Sequence, residues 1–114
     1  MLHDAIKNEI LRKLADVPKL YKVILFGSFA DGTVKTDSDI DLIVVTDDDY
    51  MPKNYKENMQ NYLKVSSVLR DTKKKIPIDL IVHTKPMHEK FIRLGSMFSK
   101  EVTTKGVVLY EKDI

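Results

Sequence analysis

The stretch Leu25-Phe-Gly-Ser-Phe-Ala-Asp-Gly-Thr-Val-Lys-Thr-Asp-Ser-Asp-Ile-Asp-Leu-Ile-Val-Val45 decides how this chain folds. One apolar run ends on Gly27-Ser28 and another starts on Asp39-Ile40-Asp41, with ten residues between Ser28 and Asp39. The second run, Ile40 to Thr46, is almost continuously apolar, as expected of a strand covered on both faces. The run before it, Tyr21 to Phe26, is β-branched and aromatic and is bounded by Gly27, which predicts a first buried strand. Gly32 marks a turn, and Thr33 to Ser38 reads as polar loop.

Upstream, Leu2, Ile6, Ile10, Leu11 and Leu14 fall three or four apart, so a helix over Leu2 to Val17 turns one stripe inward and ends ahead of Pro18. Downstream, Tyr55, Met59, Tyr62, Leu63, Ser66 and Leu69 predict a helix from Asn54 to about Thr72, with Lys73 to Lys75 suiting the negative end of its dipole as a solvated terminus. Pro77 opens a third strand, Ile78 to His83. Phe91, Ile92, Leu94, Phe98 and Val102 predict helix from Met87 to Thr104, broken or kinked at Gly95. Val107 to Tyr110 is an edge strand or a packed tail. The order α, β, connector, β, α, β, α, β, without repeat or linker, describes a single α/β (α+β) domain over residues 1–114.

Composition sets limits on function. The 114 residues suffice for one two-layer core and leave no room for a second substrate-binding domain. With 32% charged residues and a net charge of only +2, both signs interleaved, there is no electrostatic case for nucleic-acid or membrane-surface binding. Without cysteine there are no disulfides or thiolate metal sites. No apolar run approaches the roughly 20 residues that span a bilayer, and the amino terminus lacks a secretory apolar segment. A cytoplasmic location is the expectation.

Side chains two apart on a strand point the same way, so Asp39 and Asp41 share one side while Ile40 and Leu42 take the other. Asp79 holds a similar place near the start of the third strand. If strands two and three are parallel neighbours, the three carboxylates converge at one edge; for Gly27-Ser28 to reach that edge, strand one must run antiparallel to strand two. The sheet must therefore be small and mixed. Carboxylates about 5 Å apart repel by roughly 3 kcal/mol per pair at an effective dielectric of 20, which divalent cations would offset. Oxygen ligands favour Mg²⁺ or Mn²⁺, and two ions about 3.5–4 Å apart suit in-line displacement at phosphorus. Gly27 admits close backbone approach, Ser28 offers a hydroxyl, and the amides of residues 28–30 open a helical turn toward the β- and γ-phosphates of a triphosphate.

Gly27-Ser28, ten residues, Asp39-x-Asp41 and a later strand aspartate resemble the DNA polymerase β-like nucleotidyltransferase superfamily. The short length and the ending Gly106-Val-Val-Leu-Tyr-Glu resemble its minimal nucleotidyltransferase (MNT) branch, which includes the MntA antitoxins paired with HEPN toxins. The resemblance implies that Ser28 contacts the triphosphate of ATP, that Asp39 and Asp41 bind Mg²⁺, and that Asp79 is a further metal ligand or the general base. It also implies transfer of AMP to a hydroxyl, that of a tyrosine on a HEPN RNase toxin, within a hetero-oligomer or a homodimer. One position departs from the pattern: Asp31 stands where many relatives carry a basic residue, and Lys35 is the candidate to compensate. The competing readings are a non-catalytic antitoxin of the same fold, and a small-molecule transferase resembling the aminoglycoside enzymes. Asp47 to Asp49 read as a solvated loop, and His3, His83 and His88 as surface or helix-end residues.

Overall fold

A computed structural model of the chain describes residues 3–35 and 38–112. Leu2, expected to begin the first helix, and Thr36 and Asp37 of the polar loop lie outside the described residues. Helix α1 (Asp4–Leu14) is started by His3, whose Nδ1 accepts from the Ala5 amide at 3.2 Å. It stops three residues before the expected end. The amides of Asp16 and Val17 tighten onto Lys13 and Leu14, and Val17 tucks into the core at 4% exposure.

Strand β1 (Leu20–Phe26) leads through the single-turn helix α2 (Ser28–Asp31) to β2 (Ile40–Thr46). Helix α3 (Tyr55–Ser66) continues through a 3₁₀ turn (Ser67–Leu69) into α4 (Arg70–Lys75), and then comes β3 (Ile78–Thr84). Helices α5 (Lys85–Leu94) and α6 (Met97–Lys105) precede β4 (Val107–Glu111). The expected helix from Met87 to Thr104 is thus two helices: Gly95, at φ 59, takes the left-handed conformation that ends α5.

The sheet has the order β3-β2-β1-β4. Strand β2 is parallel to β3 and antiparallel to β1, and β4 joins the outer side of β1 antiparallel. This is the mixed sheet that the site required, with β4 as an edge strand. One face carries Val23, Leu25, Leu42, Val44, Leu80 and Val82 against Ile10, Leu14, Val65 and Leu69 of the helices. The other face sets Ile24, Ile43 and Val45 against Val102, with Phe26, Ile81 and Phe91 around them. Apart from Asp41, every residue of β2 is buried, as its nearly continuous apolar character predicts.

Two expected surfaces are revised. Along α3, the 3₁₀ turn and α4 the inward stripe is Asn61, Val65, Leu69 and Thr72, whereas Tyr55 and Leu63 are 76% and 53% exposed. Asn61 and Thr72 disguised the stripe because their polar side chains read as outward positions. The acidic run after β2 is not all solvated either. Asp48 is buried and accepts from the Thr46 hydroxyl at 2.8 Å, with Lys64 and Lys19 beside it. Burial opposes its charged form, but that hydrogen bond and the two lysines outweigh burial and hold its carboxyl below the usual range.

Candidate active site

Strand register brings the acids together. Asp41 pairs with Asp79 across the parallel β2–β3 ladder and with Phe26 across the antiparallel β1–β2 ladder. Adjacent strands lie about 4.8 Å apart and partnered side chains take the same face. The amide of Ile40 donates to the carbonyl of Pro77 at 3.0 Å, which holds the two strand starts level. Asp41 is half-buried, while Asp39 and Asp79 are exposed at the mouth. All three belong to the side of the sheet that carries Phe26, Ile81 and Phe91.

Burial, followed by the charges of Asp79 and Asp39, pushes the Asp41 carboxyl above the ordinary carboxylate range. This is the electrostatic signature of negative charge gathered without a counter-charge. The acids do not close on a point: among the described residues, no three acidic or histidine side chains are drawn tightly enough to clasp one ion. Mutual repulsion and the pull of water on Asp39 and Asp79 favour that open arrangement. An all-oxygen donor set with uncompensated charge fits Mg²⁺, which uses only one or two carboxylates with phosphate oxygens and water completing its shell.

Gly27 turns β1 into α2 at φ 72, and the Oδ2 atom of Asp41 occupies the space a Cβ at Gly27 would need. Only glycine suits both the backbone angle and the carboxylate pressed against it. The Gly27 carbonyl accepts from Ala30 and Asp31 at 3.0 and 3.1 Å, leaving the amides of Ser28 and Phe29 ahead of the first intrahelical bond. Asp31 turns back on its own loop: Oδ1 accepts from the Thr33 hydroxyl at 2.6 Å and from the Thr33 amide at 3.0 Å. Those bonds hold its carboxyl below the usual range. Lys35 is exposed, and its amide donates to Ser38 Oγ at 2.8 Å; its ammonium makes no ion pair among the described residues.

The sequence pattern also missed His83 and His88. They are not surface residues: their Nδ1 atoms lie 3.1 Å apart, the His88 ring stacks on Phe91, and the His83 ring packs tilted against it. Burial, then the neighbouring charge of His88, lowers His83 to about 4; burial and Lys22 lower His88. Period-two alternation from Asp79 through Ile81 to His83 was the available signal, because it sets His83 on the acidic face. Along the strand, His83 is about 13 Å from Asp79. A cleft of about 470 Å³ opens beside His88 and Lys22, and none of the three aspartates lines it.

The model of the polymerase beta nucleotidyltransferase family matches residues 8–114. The chain belongs to that family. Its fold and family make it a nucleotidyltransferase, and the mixed sheet with acids at the β2 and β3 starts is the form the family takes here. No curated protein matches the chain. Among solved structures it is similar to a chain of a toxin–antitoxin crystallised with AMP-PNP, at 26% identity and a TM-score of 0.61, over 94% of this chain and 74% of that one. It is also similar to a chain of the tri-AMPylated Shewanella oneidensis HEPN toxin in complex with MNT antitoxin, at 22% identity and a TM-score of 0.58, over 97% and 74%. A chain of an MntA–HpeT toxin–antitoxin variant follows at 22% identity and a TM-score of 0.56.

Proposed function

We propose that this nucleotidyltransferase transfers AMP from ATP to a tyrosine hydroxyl of a partner HEPN RNase toxin and so acts as its antitoxin in the cytoplasm. The observation that carries the reading is the register of Asp41 with Asp79, with Gly27 pressed against Asp41. Similarity at 26% identity to a toxin–antitoxin crystallised with AMP-PNP supports ATP as the donor.

Asp39, Asp41 and Asp79 are the candidate holders of two Mg²⁺ ions, with Mn²⁺ as the alternative; the chemistry supplied there is neutralisation of the triphosphate and activation of the acceptor hydroxyl. The Ser28 hydroxyl and the free amides at the start of α2 bind the far phosphates, while Lys35, expected to compensate for Asp31, extends from an exposed loop whose turn closes on Ser38. Asp79 accepts the acceptor's proton. The acceptor oxygen bonds to the α-phosphorus, the bond from that phosphorus to the bridging oxygen breaks, and pyrophosphate leaves. Because β3 is an outer strand, Asp79 is an exposed carboxylate at the open edge of the sheet, which suits an acceptor as bulky as a protein. The whole unit is one domain that works in a hetero-oligomer with its toxin.

The test is intact mass after incubating the chain with ATP, Mg²⁺ and the HEPN protein encoded beside it. An adenylyl adduct on a tyrosine is expected, lost with Asp39→Asn and Asp41→Asn together. No adduct, with the toxin still silenced by that double variant, would replace transfer with inhibition by contact. An adduct on an aminoglycoside alone would make it a small-molecule transferase.

A further inference from the structure

The phosphate end of the site has an acid, Asp31, where a cation would be expected, and the topology supplies a cation from elsewhere. Strand β4 runs antiparallel to β1, with Ile24 opposite Val108 and Leu25 opposite Val107. The ladder ends there, and the next residues on each chain, Phe26-Gly27 and Lys105-Gly106, line a common cleft. A cleft of about 220 Å³ opens at this junction, lined by Gly27 and Phe26 on one side and by Phe98, Glu101 and Lys105 on the other, with Asp31 at its rim.

We propose that Lys105 is the basic residue that receives the β- and γ-phosphates of ATP at the Gly27-Ser28 turn, a role that rests on the reading of the chain as an ATP-dependent transferase. Three observations carry it. First, Lys105 is the only cation among the residues lining the cleft that holds Gly27. Second, its anchor is fixed. The Gly106 amide donates to the Val102 carbonyl at 2.8 Å, and a Cβ at Gly106 would lie 3.0 Å from Ile24 Cγ2, so the chain after Lys105 is pressed against β1. Third, its present partner is weak. Lys105 meets Glu101 at 3.8 Å with both side chains 62% exposed, an i,i+4 pair that a multiply charged phosphate group outcompetes. Asp31 Oδ1 is turned toward its own loop by the Thr33 hydroxyl and amide, and its charge is one that a phosphate group must displace from Lys105. The Coulombic influence of Lys105 on Asp31 agrees with the two ends of the cleft being in range of each other. The cation thus comes from 78 positions beyond Gly27 in sequence. Lys35 lacks such placement, for it extends from an exposed loop whose turn closes on Ser38.

The test is calorimetric binding of Mg²⁺-ATP and of AMP to the wild-type chain and to Lys105→Ala, Lys105→Arg, and the double variant Asp31→Arg with Lys105→Ala. Lys105→Ala is expected to weaken Mg²⁺-ATP binding by about tenfold, the size of one charge-assisted contact, and to leave AMP binding unchanged. Lys105→Arg keeps the affinity, and Asp31→Arg restores it by placing a cation across the same cleft. Lys90→Ala, at an exposed position of α5, changes neither ligand. If wild type binds Mg²⁺-ATP and Lys105→Ala binds it equally well, the role of Lys105 is overturned and the transferase reading stands. Equal losses for ATP and AMP overturn it as well, since a cation on the far phosphates cannot act on AMP. Wild-type chain that binds no Mg²⁺-ATP would overturn both.

Discussion

At Asp41, folding and chemistry pull in opposite directions. Its raised carboxyl pKa means the folded chain holds that proton more tightly than the unfolded chain does. Its contribution to stability is therefore lost as pH rises through that range, and the ionised carboxylate is a liability at neutral pH. Asp41→Asn is expected to raise the melting temperature by roughly 2–4 °C without metal, while AMP transfer disappears; scanning calorimetry beside the intact-mass assay checks both. Gly27 has no such freedom. Gly27→Ala forces a side chain into a positive φ and into the Asp41 carboxylate. A loss of about 1–3 kcal/mol in urea unfolding is expected, together with loss of transfer. Both positions stood out as candidates in the sequence through the spacing of Gly-Ser from Asp-x-Asp. The contact between Gly27 and Asp41 was not legible, since it depends on β1 and β2 lying side by side.

Among the elements, the joint between β3 and α5 holds the clearest pH dependence. His83 titrates near 4 in the folded chain against 6.5 when free, so between those values the unfolded chain carries a proton that the folded chain refuses. Stability from this group is complete above pH 6.5 and falls as pH drops toward 4, by roughly 3 kcal/mol over the window. Urea midpoints at pH 7 and 5 are expected to converge for His83→Gln relative to wild type. Convergence is partial, because His88, 3.1 Å away and also held low by burial and Lys22, still titrates in the variant, as do carboxylates such as Asp48. The strands were read from the sequence to within a residue or so, since β-branched runs between glycines and prolines admit few alternatives. The helices were less legible. The stripe of α3 turns on Asn61, whose amide is 1% exposed and has no partner among the described residues, and no hydrophobic pattern marks such a residue as inward.

At the scale of the molecule, strand order does the assembling. With β2 between β1 and β3, the carboxylates of β2 and β3 meet the turn that leaves β1. With β4 outside β1, the end of α6 reaches the far side of that turn. The sequence by itself determined the strands and singled out the candidate residues, because strand periodicity and motif spacing are local properties of the chain; it required a mixed sheet only on condition that the two acid-bearing strands lie side by side. Only the tertiary structure decided which acids became partners across a ladder, that Asp48, His83 and His88 go inside, and that Lys105 and Gly27 line one cleft. The physical reason is that register, burial and electrostatic coupling belong to pairs of residues far apart in the chain, and they come into being only when the sheet closes around them.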